Sequence, residues 1–213
     1  MSNPINETAN WQTQYYLTVN SSHGSPQGAG WYSSGASASF SVTTPESSGT
    51  GIRYLFSSWN GDGSGSYSGS SASSSAAMNA AITETASWNT QYYLTVTSSY
   101  GSPTGQGWYD AGSPAPFNVS PTTVSGGTGI QYLFSSWNGD GSGSYSGSSA
   151  SSSAAMNAAI TETANWTTQY YYTVTSSYGS PSGAGWYDTG TTAASSVASP
   201  ASGGTGPKRW RLV

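Results

Sequence analysis

The side chains best suited to acid–base chemistry are eight carboxylates and one histidine. All the carboxylates except Glu46 fall into sets that recur at one period; the sets are Glu7, Glu84 and Glu162, Asp62 and Asp140, and Asp110 and Asp188. A catalytic pair needs two carboxyls in different environments within one site. Asp62 and Glu84 can meet across a sheet, but the same pair would then recur in other copies. We therefore predict a protein that is not an enzyme and has no catalytic residues.

The remaining candidate motifs also point away from catalysis and metal binding. His23 has Tyr100 and Tyr178 at its equivalent positions, so no Ser-His-Asp triad is predicted. The NGDGS motif at 60–64 and 138–142 faintly resembles a calcium loop, but Ser71 stands where such a loop carries a bidentate Glu. A hairpin turn explains the motif better, and we expect neither a metal nor a cofactor.

Composition limits the class of partner. Only 6% of the residues are charged, and three of the four basic residues lie within the last six positions. A chain without a basic face cannot neutralise phosphates, so nucleic acid is not an expected partner. There is no cysteine, and no apolar run of about 18 residues that would indicate membrane insertion. Possible N-glycosylation sequons at Asn6, Asn20, Asn118 and Asn165 fit an extracellular or cell-surface location.

The tryptophans reveal a tandem repeat of 77 to 78 residues. Trp11, Trp88 and Trp166 share this spacing, and Trp31, Trp108 and Trp186 repeat it. Residues 132–149 match 54–71 exactly in sequence. A fixed period of this size indicates an array of small domains.

Within one copy the apolar pattern predicts strands. Tyr15, Leu17 and Val19 alternate with polar residues, and further strands are predicted around 36–42, from Ile52, and from Met78 to Trp88. The Gly/Ser run from Asn60 to about Ser75 is predicted to be an exposed loop. A short Ala-rich helix over 74–81 is the competing interpretation. We expect an all-β chain with little or no helix.

Four motifs in a fixed order carry a family resemblance. In the order that they take within one copy, they are YYLTV (92–96), GWYDAG (107–112), YLFSSWNGDGSGS (132–144) and AMNAAITETASW. The last of these is quoted from the preceding copy, at 77–88. Together they resemble the divergent internalin B-repeat-like modules that occur as tandem stalks in bacterial and archaeal surface proteins. The resemblance covers roughly residues 5–206. It implies small β-grasp-like modules, strung end to end and without catalysis, on surface adhesins.

In such a frame each module begins at YYLTV and ends with the strand IleThrGluThrAlaXaaTrp. The predicted organisation is an N-terminal closing strand within 1–13, module 1 at 14–90, module 2 at 91–168, and an incomplete module 3 at 169–213 with a basic tail. The closing strand comprises Ile5, Asn6, Glu7, Thr8, Ala9, Asn10 and Trp11. It has no module in front of it, whereas module 3 has no closing strand.

A spare strand and an unfinished sheet are complementary, because an open sheet edge favours strand addition. We therefore expect a structural subunit of a surface filament or adhesin stalk, joined head to tail with copies of itself. The proposed acceptor residues are Tyr171, Thr173, Val174, Trp210 and Leu212. A truncated stalk fragment acting as a passive spacer, with a basic tail that arises from truncation or a frameshift, stays open.

Aromatic residues support one further alternative. Trp59, Trp88 and Trp137 lie at strand positions that core packing requires. Trp31, Trp108 and Trp186 lie in Gly-rich segments and are the better candidates for exposed contacts, either with surface glycans or with a neighbouring subunit. A carbohydrate-binding module is therefore the alternative function.

Overall fold

A computed structural model describes residues 4–198, 201–203 and 208–210, the last two ranges as backbone only. None of these residues is helical, which confirms the predicted all-β class. The strands are β1 (Gln14–Asn20), β2 (Gly30–Ser33), β3 (Ser37–Ser41), β4 (Glu46–Ser47), β5 (Ile52–Asp62), β6 (Ser73–Ala77), β7 (Ile82–Ser98), β8 (Ser102–Thr104), β9 (Gly107–Asp110), β10 (Pro114–Ser120), β11 (Thr123–Gly127), β12 (Ile130–Asp140), β13 (Ser151–Ala155), β14 (Ile160–Tyr172), β15 (Pro181–Ser182), β16 (Gly185–Asp188), β17 (Ser196–Val197), β18 (Ala201–Gly203) and β19 (Lys208–Trp210).

The chain divides into two compact units. The first comprises Met1–Tyr93, Trp108–Ser113 and Asn157–Ala159, and the second comprises Leu94–Gly107, Pro114–Met156 and Ile160–Val213. Both the division between residues 93 and 94 and the predicted module boundary at 90/91 fall inside β7. The strand that ends one repeat is therefore continuous with the strand that begins the next.

In the first unit, β7 runs along the middle of a sheet. Its first residues pair in parallel with β1, from Leu17 opposite Ile82 to Asn20 opposite Thr85. Its other edge pairs antiparallel with β5. The ladder shifts by one residue between Phe56 and Ser58, and this bulge lets Phe56 and Trp59 both face the interior.

A two-stranded sheet, β3 with β6, packs against this main sheet and closes the core. Ala38 and Phe40 alternate with exposed serines, so β3 turns one apolar face inward. The Phe40 and Trp59 rings meet edge to face at 4.9 Å between centroids. Trp59 is buried, and Trp88 packs against the cluster from its edge, so both have the expected core role.

The second unit repeats this plan with β10, β12, β13 and β14. Phe117 and Trp137 meet edge to face at 5.0 Å, and Trp137 is buried as Trp59 is. Residues 161–170 of β14 pair antiparallel with β12, and residues 160–164 pair in parallel with residues 94–98 of β7. The same sequence therefore builds the same packing twice.

The helix proposed over 74–81 is wrong, and the exposed loop proposed up to Ser75 ends too late. Residues 73–77 form β6, where Ala76 is buried against β3. Small side chains suffice there because Phe40 and Trp59 fill the interior opposite. Met78 is buried but precedes the strand, which begins only at Ile82.

Candidate assembly and binding surfaces

Within the described part of the chain, the sheet edge that opens the third repeat lacks a neighbouring strand that its two predecessors have. Leu17 and Leu94, inward residues of the opening strand, are both fully buried at 0%. Tyr172 holds the same position in the third repeat and is 38% exposed. The parallel strand that covers Leu17 and Leu94 has no counterpart beside Tyr172 among the described residues.

An open cavity of about 330 Å³ lies beside this edge. Its lining includes Val174 and Ser176 from the segment that follows β14, and Ser195 and Val197 from the segment that follows β16. In the first repeat the positions of Ser195 and Val197 are held by the buried residues Phe40 and Val42. A serine therefore stands at this cavity where the first repeat has an aromatic ring of its core.

The N-terminal segment 5–11 has the sequence of a strand that is buried in the two complete repeats, but it is not buried itself. It lies in no strand and is exposed throughout, with Ile5 at 85% and Trp11 at 95%. The equivalent isoleucines Ile82 and Ile160 are buried at 1% and 2%. The same heptapeptide pattern therefore occurs twice in a buried strand and once in solvent.

Where this pattern is buried, its tryptophan makes two fixed contacts. The Trp88 Nε1–H donates to Ser21 Oγ at 3.0 Å, and the Trp166 Nε1–H donates to Ser98 Oγ at 2.9 Å. Trp166 also meets the ring of Tyr100 edge to face at 5.7 Å. Ser176 and Tyr178 hold the serine and tyrosine positions in the third repeat.

The five proposed acceptor residues are described to different extents. Tyr171 is paired with Trp186 across β14 and β16, Thr173 is exposed, and Val174 is half-buried beside the cavity. Trp210 is described only by its backbone in β19, and Leu212 lies outside the described residues. Of the described acceptor residues, Tyr171 thus lies in β14, and Thr173 and Val174 lie just beyond its end.

The three tryptophans proposed for exposed contacts differ in their environments. Each forms an edge-to-face pair with a tyrosine at 5.1 to 5.2 Å; the tyrosines are Tyr16, Tyr93 and Tyr171. Trp31 is 66% exposed and Trp186 is 40% exposed. Trp108 is half-buried, because the Arg53 guanidinium lies 4.4 Å above its ring. Sequence reasoning missed this cation–π contact.

A buried carboxyl inside each complete repeat was also missed. Glu84 and Glu162 are fully buried, and each accepts a backbone N–H at 2.7 Å, from Tyr67 and Tyr145 respectively. The second carboxyl oxygen of each has no hydrogen-bond partner. Burial raises the pKa of both carboxyls, and the backbone N–H partly offsets this. The alternation of Ile82, Glu84 and Ala86 was the available signal, since it places Glu84 on the inward face.

The other polar candidates have structural environments. His23 Nδ1 lies 3.2 Å from Glu46 Oε2, and its ring stacks on Tyr54 at 3.6 Å between centroids. Asp62 is exposed opposite Thr83, whereas Glu84 lies inside opposite Gly61. Within the described residues no three His, Cys, Asp or Glu side chains are grouped as a metal site would require.

The sequon asparagines Asn6, Asn20 and Asn165 are exposed, and Asn118 is half-buried in β10. Over the described residues there is no helix of the length and apolarity needed to cross a membrane. Comparisons with protein-family models, curated protein sequences and solved structures find no match to this chain.

Proposed function

We propose that this chain is a non-enzymatic structural subunit of an extracellular filament or stalk, and that copies join head to tail by strand complementation. Residues 5–11 of one copy enter the open edge of the third repeat of the next. The observation that carries this proposal is the contrast between Ile5, exposed in solvent, and Ile82 and Ile160, buried at the same position. The surface location rests on the resemblance to B-repeat-like stalks.

The internal repeats supply a template for the register. Leu17 lies opposite Ile82 and Leu94 opposite Ile160 in the two parallel ladders. By equivalence, Ile5 of the incoming copy lies opposite Tyr172, and Glu7 lies opposite Val174. Trp11 then reaches Ser176, as Trp88 reaches Ser21.

The energetic argument favours addition of the strand. Full burial of an isoleucine or a comparable side chain contributes about 1.5–3 kcal/mol, and Ile5 and Trp11 both present apolar surface that their equivalents bury. The new ladder would also satisfy backbone groups from Tyr172 onward, at the end of β14. Because donor and acceptor are different surfaces of the chain, the contact is heterologous and propagates into a filament unless a ring closes.

Sedimentation velocity and negative-stain electron microscopy test the proposal. The full chain is expected to form concentration-dependent oligomers and fibres, and a variant lacking residues 1–13 is expected to stay monomeric. A variant lacking only residues 1–4 keeps the donor segment and serves as the matched control.

If the chain is a passive spacer, the full chain and the variant lacking residues 1–13 should both stay monomeric. Fibres that persist unchanged without residues 1–13 would refute the strand exchange. A full chain that remains monomeric up to about 1 mM, the concentration at which binding of about −4 kcal/mol is half complete, would refute the assembly itself.

A further inference from the structure

A ladder of polar side chains runs beside the exposed Tyr171–Trp186 pair. Gln131 Nε2 donates to Gln169 Oε1 at 2.6 Å, and Gln169 Nε2 donates to Asp188 Oδ1 at 2.7 Å. The three residues come from adjacent strands, since Gln131 pairs with Gln169 and Gln169 with Asp188. Tyr171 and Trp186 lie two residues along the same two strands and therefore on the same face of the sheet.

The first unit carries the same arrangement in a closed form. Arg53 Nε donates to Gln91 Oε1 at 2.7 Å, and Gln91 Nε2 donates to Asp110 Oδ1 at 2.8 Å. There the Arg53 guanidinium covers the Trp108 ring. Gln131 replaces Arg53 in the second unit, and the shorter, neutral side chain leaves Trp186 40% exposed. The two ladders thus differ in one residue, Arg53 or Gln131. The Trp108 indole is covered by the arginine, and the Trp186 indole is not.

The first repeat has an exposed tryptophan but lacks the polar ladder beside it. Trp31 and Tyr16 form the same edge-to-face pair, and Trp31 is even more exposed at 66%. Ser33 stands at the position of Asp188, so this copy has no carboxylate at the end of the ladder. Only the face around Trp186 combines an open indole with the Gln131–Gln169–Asp188 ladder.

We propose that this Trp186 face binds a neutral sugar, a pyranose within an oligosaccharide or polysaccharide. The negative face of the indole attracts the polarised C–H groups on the apolar side of a pyranose ring. Asp188 accepts hydrogen bonds from sugar hydroxyls, and such charge-assisted bonds are the stronger ones. Gln131 adds an amide that both donates and accepts, and Gln169 holds the two in place.

The expected ligand is uncharged, because the ladder contains one carboxylate and no cation to neutralise an acidic sugar. Binding at one exposed face is weak, with dissociation constants near the millimolar range. The proposal does not rest on filament assembly. A filament would present one such face per subunit and would strengthen binding to a polysaccharide by multivalency.

Pull-down on cellulose, chitin, xylan and mannan, followed by calorimetry with the soluble oligomer of whichever polymer binds, tests the site. The Trp186→Ala and Gln131→Arg variants are each expected to lose binding at least about tenfold, while Trp31→Ala binds as the unmodified chain does. The reverse exchange, Arg53→Gln, uncovers Trp108 and is expected to add a second site of similar affinity. Circular dichroism of each variant checks that the fold is retained.

Three outcomes would overturn the inference. The first is that the unmodified chain binds none of the four polymers. The second is that Gln131→Arg and Trp186→Ala bind as well as the unmodified chain. The third is that Arg53→Gln leaves the number of sites unchanged while Trp186→Ala also has no effect.

Discussion

Leu17 in the first repeat and Tyr172 in the third occupy the same place in the strand that opens a repeat, but their surroundings differ. Around Leu17, the parallel strand β7 and the β3–β6 sheet complete a core that contains Phe40 and Trp59. In the third repeat Ser195 stands at the position of Phe40, lines an open cavity and lies 3.2 Å from the Tyr172 hydroxyl. The comparison shows that an opening strand does not make a repeat core alone, because the core of the first repeat also takes buried residues from β3, β5, β6 and β7.

The largest effect is expected from removing the aromatic centre of a complete repeat. Trp137→Ala deletes a buried ring that packs edge to face on Phe117, and we expect a loss of about 3–5 kcal/mol in the free energy of unfolding. Trp186→Ala, at an exposed tryptophan in the third repeat, is expected to cost less than about 1 kcal/mol. Urea denaturation followed by circular dichroism measures both. Equal losses would contradict the contrast between complete and incomplete repeats.

A matched isoleucine pair sharpens the comparison. Ile160→Ala is expected to destabilise the chain by about 2–5 kcal/mol, since Ile160 is 2% exposed. Ile5→Ala should leave the unfolding of the monomer unchanged but weaken its assembly, because Ile5 is exposed in the single chain and the proposed junction buries it. Denaturation at low concentration and sedimentation at high concentration separate the two effects. Loss of monomer stability in Ile5→Ala would place this segment within its own chain.

The buried carboxyls predict a pH dependence that only complete repeats have. Burial raises the pKa of Glu84 and Glu162, so folding favours the neutral form of these groups. Their contribution to stability is full below the ordinary glutamate pKa and is lost as pH rises through the raised pKa, by about 1.4 kcal/mol for each unit of elevation.

The double variant Glu84→Gln, Glu162→Gln cannot ionise and should therefore lose this dependence. We expect it to match the unmodified chain near pH 3.5 and to exceed it in stability at pH 8, as measured by urea midpoints across that range. A double variant that keeps the full pH dependence would assign it to other groups.

The smallest effect is expected at Glu7. Strand addition would carry this exposed carboxylate to a position where Glu84 and Glu162 are buried, and burying a charge is costly. Glu7→Gln is therefore expected to strengthen assembly several-fold at pH 8 and to change it little near pH 3.5, with Glu46→Gln as the control. Unchanged assembly of Glu7→Gln at pH 8 would mean that Glu7 stays in solvent, and weaker assembly would mean that its charge makes a favourable contact.

Sequence alternation was a reliable guide where large apolar side chains face polar ones. It predicted β1 through Tyr15, Leu17 and Val19, and it predicted a strand from Ile52. It failed for β6, whose buried face is a single alanine, Ala76, in a run of serines. Small residues carry no strong hydrophobic signal, and the partner strand β3 determines which of them are buried.

The sequence predicted some features of the candidate sites and missed others. The repeat period predicted both the unpaired segment 5–11 and the module 3 without a closing strand. Both follow from aligning the copies at a spacing of 77 to 78 residues. The covering of Trp108 by Arg53 and the ladder at Gln131 depend on residues 38 or more positions apart that only strand pairing brings together. The amino-acid sequence does not show which strands pair, so it gives no indication of such contacts.

The absence of cysteine allows the proposed junction to be measured directly. In the first ladder Thr18 lies opposite Thr83, which makes Asn6 of one copy the expected partner of Thr173 in the next. Asn6→Cys protein mixed with Thr173→Cys protein should form a disulfide-linked heterodimer under mild oxidation, as Thr18→Cys with Thr83→Cys should cross-link within one chain. Pairing Asn10→Cys with Thr173→Cys, four residues out of register, should give little product. A heterodimer yield from Asn6 no greater than that from Asn10, while the internal pair closes, would contradict head-to-tail strand complementation.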